Sequence, residues 1–211
     1  MSGPVQVADM GSGPGAASLV ALSALPEARV TAVDHHGPYL ETLRQRALAA
    51  GLGARLETRQ ADMADAGFAD GSLDLILCEG ALYFLGVEAA LRAWRPLLTP
   101  GGRVAFSEVV WIKAQPAEDA RLFWMEYPDM TNRTGVRARV EAAGFRVVTD
   151  FIQPKSDWED YLGPLGTRAE ALRPDADETL RAVLEGAVEE VDLFRRRGDN
   201  YAYAVFVVEP V

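Results

Sequence analysis

Cysteine is nearly absent. Cys78 is the single one in 211 residues. One thiol excludes an internal disulfide and a cysteine-based metal site. Histidine is scarce too. His35 and His36 are adjacent on one stretch, which is not a usual ligand spacing, so no metal is expected. Long apolar runs are missing, and none approaches the length a bilayer requires. The start "MSGPVQVADMG" lacks a basic segment followed by an apolar core, so no secretion signal is expected and the chain reads as cytoplasmic. Positive charge is in deficit: 21 Lys and Arg stand against 31 Asp and Glu, for a net charge of -10. Nucleic-acid binders usually show a basic face, so nucleic acid is an unexpected partner, as is a membrane. The one concentrated basic run, Arg195, Arg196 and Arg197 in "LFRRRGD", reads as the cationic last turn of a helix. Small molecules remain as partners, and a homodimer stays open.

What is present is an ordinary globular composition, 49% apolar and 25% charged. The length fits one domain, residues 1–211, with ample core. Short apolar runs alternate with amphipathic segments. "VQVADM", "RVTAVD", "ARLETRQ", "SLDLILCE" and "RVAFSEVVW" read as strands. "GAASLVALSAL", "PYLETLRQRALAAG" and "VEAALRAWRPLL" read as the helices between them, the last closed by a "TPGG" turn. Strand–helix–strand repetition with continuous apolar strands predicts an α/β fold, doubly wound around a mostly parallel sheet. After Trp111 the pattern loosens. "AEDARLFWMEY" and "TGVRARVEAAG" read as helices, "FRVVTDFIQ" as the sixth strand and "YAYAVFVVE" as the last. Between these two strands a mostly helical insertion occupies about 155–198, long enough to be a lid or a small subdomain.

The most informative stretch is "VADMGSGPG" at 7–15. A strand that ends in glycines and opens into a helix lets backbone approach a ligand and offers free N–H groups. In doubly wound sheets the ligand sits beyond the carboxyl ends of the strands. The nicotinamide fingerprint fits formally, with Gly11, Gly13 and Ala16, and Asp34 at about the right distance for a ribose. Three features argue otherwise. Asp9 precedes the glycines and would repel a pyrophosphate. Gly15 makes the run glycine–x–glycine–x–glycine. Asp62 follows the third strand and Glu79 ends the fourth. Acids after four successive strands suit a positively charged, donor-rich ligand, and S-adenosylmethionine is one.

With "VTAVD", "QADM", "SLDLILCEGALYFLG" and "WRPLLTPGGRVAFSE", in order from residue 5 to about 111, the chain resembles a class I S-adenosylmethionine-dependent methyltransferase. Asp74 to Trp111 is most similar to small bacterial methyltransferases of unassigned substrate. The resemblance implies a Rossmann-like methyltransferase fold with a seven-stranded sheet, the last strand antiparallel, and a helical insertion before that strand. It also implies a cofactor-binding half at 1–111, a substrate half at 112–211, and S-adenosylmethionine as cofactor with S-adenosylhomocysteine as product. Gly11, Ser12, Gly13 and Gly15 would wrap the methionine part, and Asp9 would meet its amino group. Asp34 would accept the ribose hydroxyls and His35 would lie against the adenine. Asp62 would take the adenine amine, with Met63 packing nearby, and Glu79 would face cofactor and substrate together.

Each role has a plainer rival. Asp9 could cap the following helix, and Asp34 could be an ordinary strand-end acid. Asp62, with Asp65 and Asp70, could belong to a solvated acidic loop. His35 and His36 could be exposed loop residues. Methyl transfer from a sulfonium is an in-line displacement, and the enzyme mainly aligns the partners and excludes water. A base helps only where the nucleophile must lose a proton. Glu79 and Tyr83 are the catalytic candidates, although Tyr83 and Phe84 could simply pack the next helix. Trp111, Trp124, Tyr127 and Trp158, with Phe123 and Tyr161, are the substrate candidates, against the rival that Trp124 and Trp158 are core. Members of the family usually carry a helical segment before the first strand. Here about four residues precede "VQVADM", so either the start lies upstream or the 155–198 insertion covers the site. The expected function is methyl transfer to a small-molecule acceptor. The alternatives are a nicotinamide-dependent reductase and a non-catalytic cofactor-binding module.

Overall fold

The computed structural model describes residues 4–211. Its strands are β1 (Gln6–Met10), β2 (Arg29–Asp34), β3 (Leu56–Gln60), β4 (Leu73–Cys78), β5 (Leu98–Trp111), β6 (Thr131–Asn132), β7 (Phe145–Ile152) and β8 (Tyr201–Pro210). Its α-helices are α1 (Ala16–Ala24), α2 (Gly37–Ala49), α3 (Val87–Trp94), α4 (Glu118–Phe123), α5 (Arg133–Ala142), α6 (Lys155–Leu172) and α7 (Glu178–Arg197). The sheet runs β3-β2-β1-β4-β5-β8-β7, with short β6 beside β5 and helices on both sides. From β3 to β5 every neighbouring pair is parallel. β8 runs against β7, since Val211 N–H donates to Gly144 and Gln153 N–H donates to Tyr203. This is the expected doubly wound sheet, with the last strand inserted antiparallel.

The reasons for these elements are local. β1, β2 and β4 are apolar runs buried on both faces, as parallel strands are. Pro38 sits in the first turn of α2, and Gly51, just past its end, takes the left-handed conformation at φ 71°. Asp177 caps α7 by accepting from Leu180 N–H at 2.8 Å, and Arg195, Arg196 and Arg197 fill its last turn as expected. Pro164 lies inside α6 and removes one helical hydrogen bond.

Three details differ from expectation. The "TPGG" segment is not a free turn but the opening of β5, where the pairing with β4 slips between Leu73 and Leu75 and Gly101 adopts φ 86°. That is a bulge, and the glycine accommodates it. The segment expected as one helix at "AEDARLFWMEY" stops at Phe123 and tightens into a 3-10 turn at Trp124–Glu126. The two-residue β6 has no counterpart in the sequence reading.

The chain forms two compact units. The first comprises residues up to Glu108, Thr134–Phe151 and Val205–Val211. Trp94 is fully buried in it, and Phe106 stacks on Phe206 at 5.3 Å between ring centres. The second comprises Val109–Arg133 and Ile152–Ala204. Its core gathers Val109, Trp158, Leu162, Val191, Phe194 and Tyr201. Among the described residues no helix is long and apolar enough to cross a membrane.

Candidate functional site

The carboxyl edge of β1, β2 and β4 is where sequence and geometry converge. The order β2-β1-β4 makes β1 the point where the chain switches direction across the sheet, the position at which open α/β sheets bind ligands. The glycine loop leaves β1 here. Gly11 N–H and Ser12 N–H both donate to the Val33 carbonyl at 2.9 Å, which ties the loop to β2. Arg46 from α2 donates to the Pro14 carbonyl at 2.7 Å.

The three glycines have different reasons. All have positive φ, which L side chains adopt only with strain. A Cβ on Gly11 would lie 2.5 Å from the Ala81 Cβ. A Cβ on Gly15 would lie 2.0 Å from the Leu43 Cδ1. Gly15 is therefore required by the packing of α2 over the loop, a reason the sequence did not reveal. Gly13 alone faces open space, with nothing within 4 Å of where a Cβ would be.

Two buried acids stand at the ends of β1 and β2. Asp9 is 1% exposed and its Oδ2 accepts from Ser18 Oγ at 2.6 Å. Burial pushes its carboxyl up to about 6, the Ser18 hydrogen bond pulls back, and the nearby charges of Glu79 and Asp34 push further. Asp34 is buried and accepts from Gly13 N–H and His36 N–H, both at 2.8 Å. Its carboxylate thus fixes the glycine loop directly. Glu79 is exposed at the end of β4. An acid pushed up by the charges of Glu79 and Asp34, next to an open glycine whose N–H Asp34 holds, fits a cationic, hydroxyl-bearing ligand such as S-adenosylmethionine and opposes a pyrophosphate.

The remaining predicted residues are placed less decisively. His35 is exposed, with Nδ1 3.8 Å from Asp34 Oδ1. His36 lies edge-on to Tyr39. Asp62 is exposed and its Oδ1 closes a local turn by accepting from Ala64 N–H at 2.8 Å. Half-buried Met63 offers its carbonyl to the Trp94 indole N–H at 2.8 Å, and its Sδ lies 3.6 Å from where a Gly11 Cβ would be. Tyr83 is half exposed and packs on Phe84, itself exposed, and partial burial pushes its phenol up. Cys78 is buried and its thiol is driven far up by desolvation, which removes it as a nucleophile.

Sequence reasoning missed several supports. Ser18 partners Asp9, Trp94 holds the Met63 loop, and Ser107 Oγ accepts from Gly80 N–H at 2.9 Å to set the turn after β4. A serine one turn into the helix after a glycine loop is a readable signal. The other two are long-range contacts with none.

Of the substrate candidates, Trp158 is corrected to a core residue. It is 4% exposed and stacked on Phe194 and Tyr203 within the second unit. Trp124 and Tyr127 pack against the same core, half-buried, and Trp124 meets the Tyr201 ring at 5.2 Å. Phe123 joins them there, while Tyr161 is exposed. Trp111 is half-buried and lines a cavity of about 390 Å³. Among the described residues no group of three metal-ligating side chains exists.

Comparison with known proteins adds the following. Residues 7–102 match a family described as "Methyltransferase domain". The chain is 34% identical over 110 residues to the ribosomal RNA large subunit methyltransferase G of Pseudomonas aeruginosa, covering 52% of this chain and 29% of the relative. It is 33% identical over 103 residues to the trans-aconitate 2-methyltransferase of Streptomyces coelicolor, covering 48% of this chain and 34% of the relative. The chain thus matches about a third of the length of these curated relatives. A crystal structure of an S-adenosylmethionine-dependent methyltransferase from Geobacter sulfurreducens, in complex with S-adenosyl-L-homocysteine, shares the fold. Its TM-score is 0.83 at 21% identity, over 100% of this chain and 86% of that one.

Proposed function

We propose that this class I S-adenosylmethionine-dependent methyltransferase methylates a small-molecule acceptor, with the cofactor held at the carboxyl edge of β1, β2 and β4. The nicotinamide reading of Gly11, Gly13 and Ala16 falls away with the family. The observation that carries the proposal is the open face of Gly13, its N–H held by Asp34, together with a buried Asp9 that feels the charges of Asp34 and Glu79.

When bound, S-adenosylmethionine supplies a methyl carbon activated by its sulfonium. The chain's own residues bind and orient. Gly11, Ser12 and Gly13 give the close backbone approach. The buried charge of Asp9 favours an ammonium group. Asp34, already anchored by two N–H groups, has lone pairs left for two ribose hydroxyls. His35, Asp62 and Met63 are assigned to the adenine. Gly15 is assigned to shaping the loop by packing on α2 rather than to touching the cofactor. Glu79 is the candidate for receiving a proton from the acceptor. Tyr83, with its phenol pushed up, is suited to donate a hydrogen bond rather than to act as a base.

A small acceptor is favoured over RNA by charge. The chain carries a net charge of -10, and the likeness to the ribosomal RNA enzyme covers about half of this chain. The test is isothermal titration with S-adenosylhomocysteine, followed by transfer of labelled methyl to a panel that includes trans-aconitate and a ribosomal RNA fragment. Cofactor binding with label in a small acid supports the reading. Label in RNA, or no cofactor binding, overturns it.

A further inference from the structure

The cavity of the second unit has a chemistry of its own. It holds about 390 Å³, the lower end of the range for small-ligand pockets. Its apolar wall includes Trp111 and Met130. Its polar lining includes Thr131, Asn132, Lys113 and Arg121. No acidic side chain lines it, in a chain where 31 acids outnumber 21 bases.

The two cations differ. Lys113 is engaged by Asp199. Arg121 makes no ion pair among the described residues. Its helix neighbour Asp119 is taken by Arg197, which donates from Nε to both carboxylate oxygens at 2.8 and 2.9 Å. Arg121 therefore presents an uncommitted guanidinium to the cavity, and a guanidinium matches the flat fork of a carboxylate or two oxygens of a phosphate.

The cavity is also built rather than incidental. Trp111 pairs with Asn132, and Val110 with Thr131, through the short β5–β6 ladder. The segment that follows is pinned by Asn200, which is buried. The Asn200 carbonyl accepts from Ile112 N–H at 2.9 Å and its Oδ1 accepts from Ala117 N–H at 2.8 Å. β6 is thus explained: two residues suffice to fix one wall.

We propose that this cavity binds a small organic anion. Its carboxylate or phosphate is held by Arg121, and its carbon frame lies on Trp111 and Met130. The anion site stands on its own lining.

The experiment titrates the full chain with benzoate, phenyl phosphate and the neutral isostere benzamide, by calorimetry and ligand-observed NMR. Wild type, Arg121→Gln and Arg121→Lys are compared, and S-adenosylhomocysteine is titrated into each. An anion binding at least about tenfold tighter than benzamide supports the site, and benzoate against phenyl phosphate tells which head group it takes. Arg121→Gln should reduce the anion to the level of benzamide, Arg121→Lys should restore part, and cofactor affinity should not change. Equal binding of anion and amide, no binding of either anion at millimolar concentration, or indifference to Arg121→Gln overturns the proposal.

Discussion

At the residue scale, the glycine loop separates two constraints that look identical in sequence. Gly13 and Gly15 share positive φ, but only Gly15 has a neighbour in the way. Gly15→Ala should destabilise the fold by about 2–5 kcal/mol, from left-handed strain plus overpacking against Leu43. Gly13→Ala should cost about 1–2 kcal/mol from strain alone, yet lose most affinity for S-adenosylhomocysteine because the methyl fills the ligand's space. Denaturant unfolding and calorimetry on the pair check this, and equal stability losses would refute the distinction. Asp9 makes a second prediction, with a definite sign. Its folded-state pKa, about 6, lies above the ordinary 3.8. Between those values the folded chain holds the proton more tightly than the unfolded one. Asp9 therefore opposes folding progressively as pH rises through this window, reaching about 3 kcal/mol above it. Asp9→Asn keeps an acceptor for Ser18 and removes the charge. Its melting temperature should match wild type near about pH 4 and exceed it increasingly up to about pH 7, where the gap levels off. A gap independent of pH would mean that the folded and unfolded chains hold the Asp9 proton equally, so that burial does not raise its pKa.

At the element scale, α3 supports the site through one bond. The Trp94 indole N–H reaches the Met63 carbonyl in the turn after β3, and the ring is fully buried. Trp94→Phe keeps most of the ring and deletes the donor, leaving that carbonyl short of a partner. The expected loss is about 1 kcal/mol, or roughly 2–4 °C in melting temperature, with a weaker grip on S-adenosylhomocysteine. Full retention of cofactor affinity would show that the Met63 turn does not touch the cofactor. The same bond marks where the sequence stops being legible. β1, β2, β4 and β8 could be read because burial writes itself as apolar runs, and the glycine loop because φ restricts residue choice. Trp94 shows only as an apolar helix residue, since its partner is 31 positions away. β6 is too short to carry a period, and the "TPGG" bulge has the composition of a turn. Gly15 announced itself as a glycine but not as the seat of Leu43. Among the aromatics, Trp111 and Trp158 are both large and apolar. Nothing local says that one lines a cavity and the other stacks in a core.

At the scale of the whole molecule, charge and ligand binding make a joint prediction. A net charge of -10 gives the free protein a general repulsion for anions, while the carboxylates around Gly13 concentrate negative potential at one edge of the first unit. A ligand carrying an ammonium group relieves that local repulsion and adds its binding energy only to the folded state. At 100 times its dissociation constant a ligand contributes about 2.7 kcal/mol. For a chain of this size the melting temperature should rise by roughly 5–10 °C with S-adenosylhomocysteine. NADH, an anionic pyrophosphate, should give no rise. Because Asp9 loses affinity for its proton when a cation sits nearby, the rise should be larger at about pH 7 than at about pH 5. Thermal unfolding at both pH values, with each ligand, measures all of this. A rise with NADH, or a rise with S-adenosylhomocysteine that does not depend on pH, would break the link between the buried acid and the cofactor's positive charge.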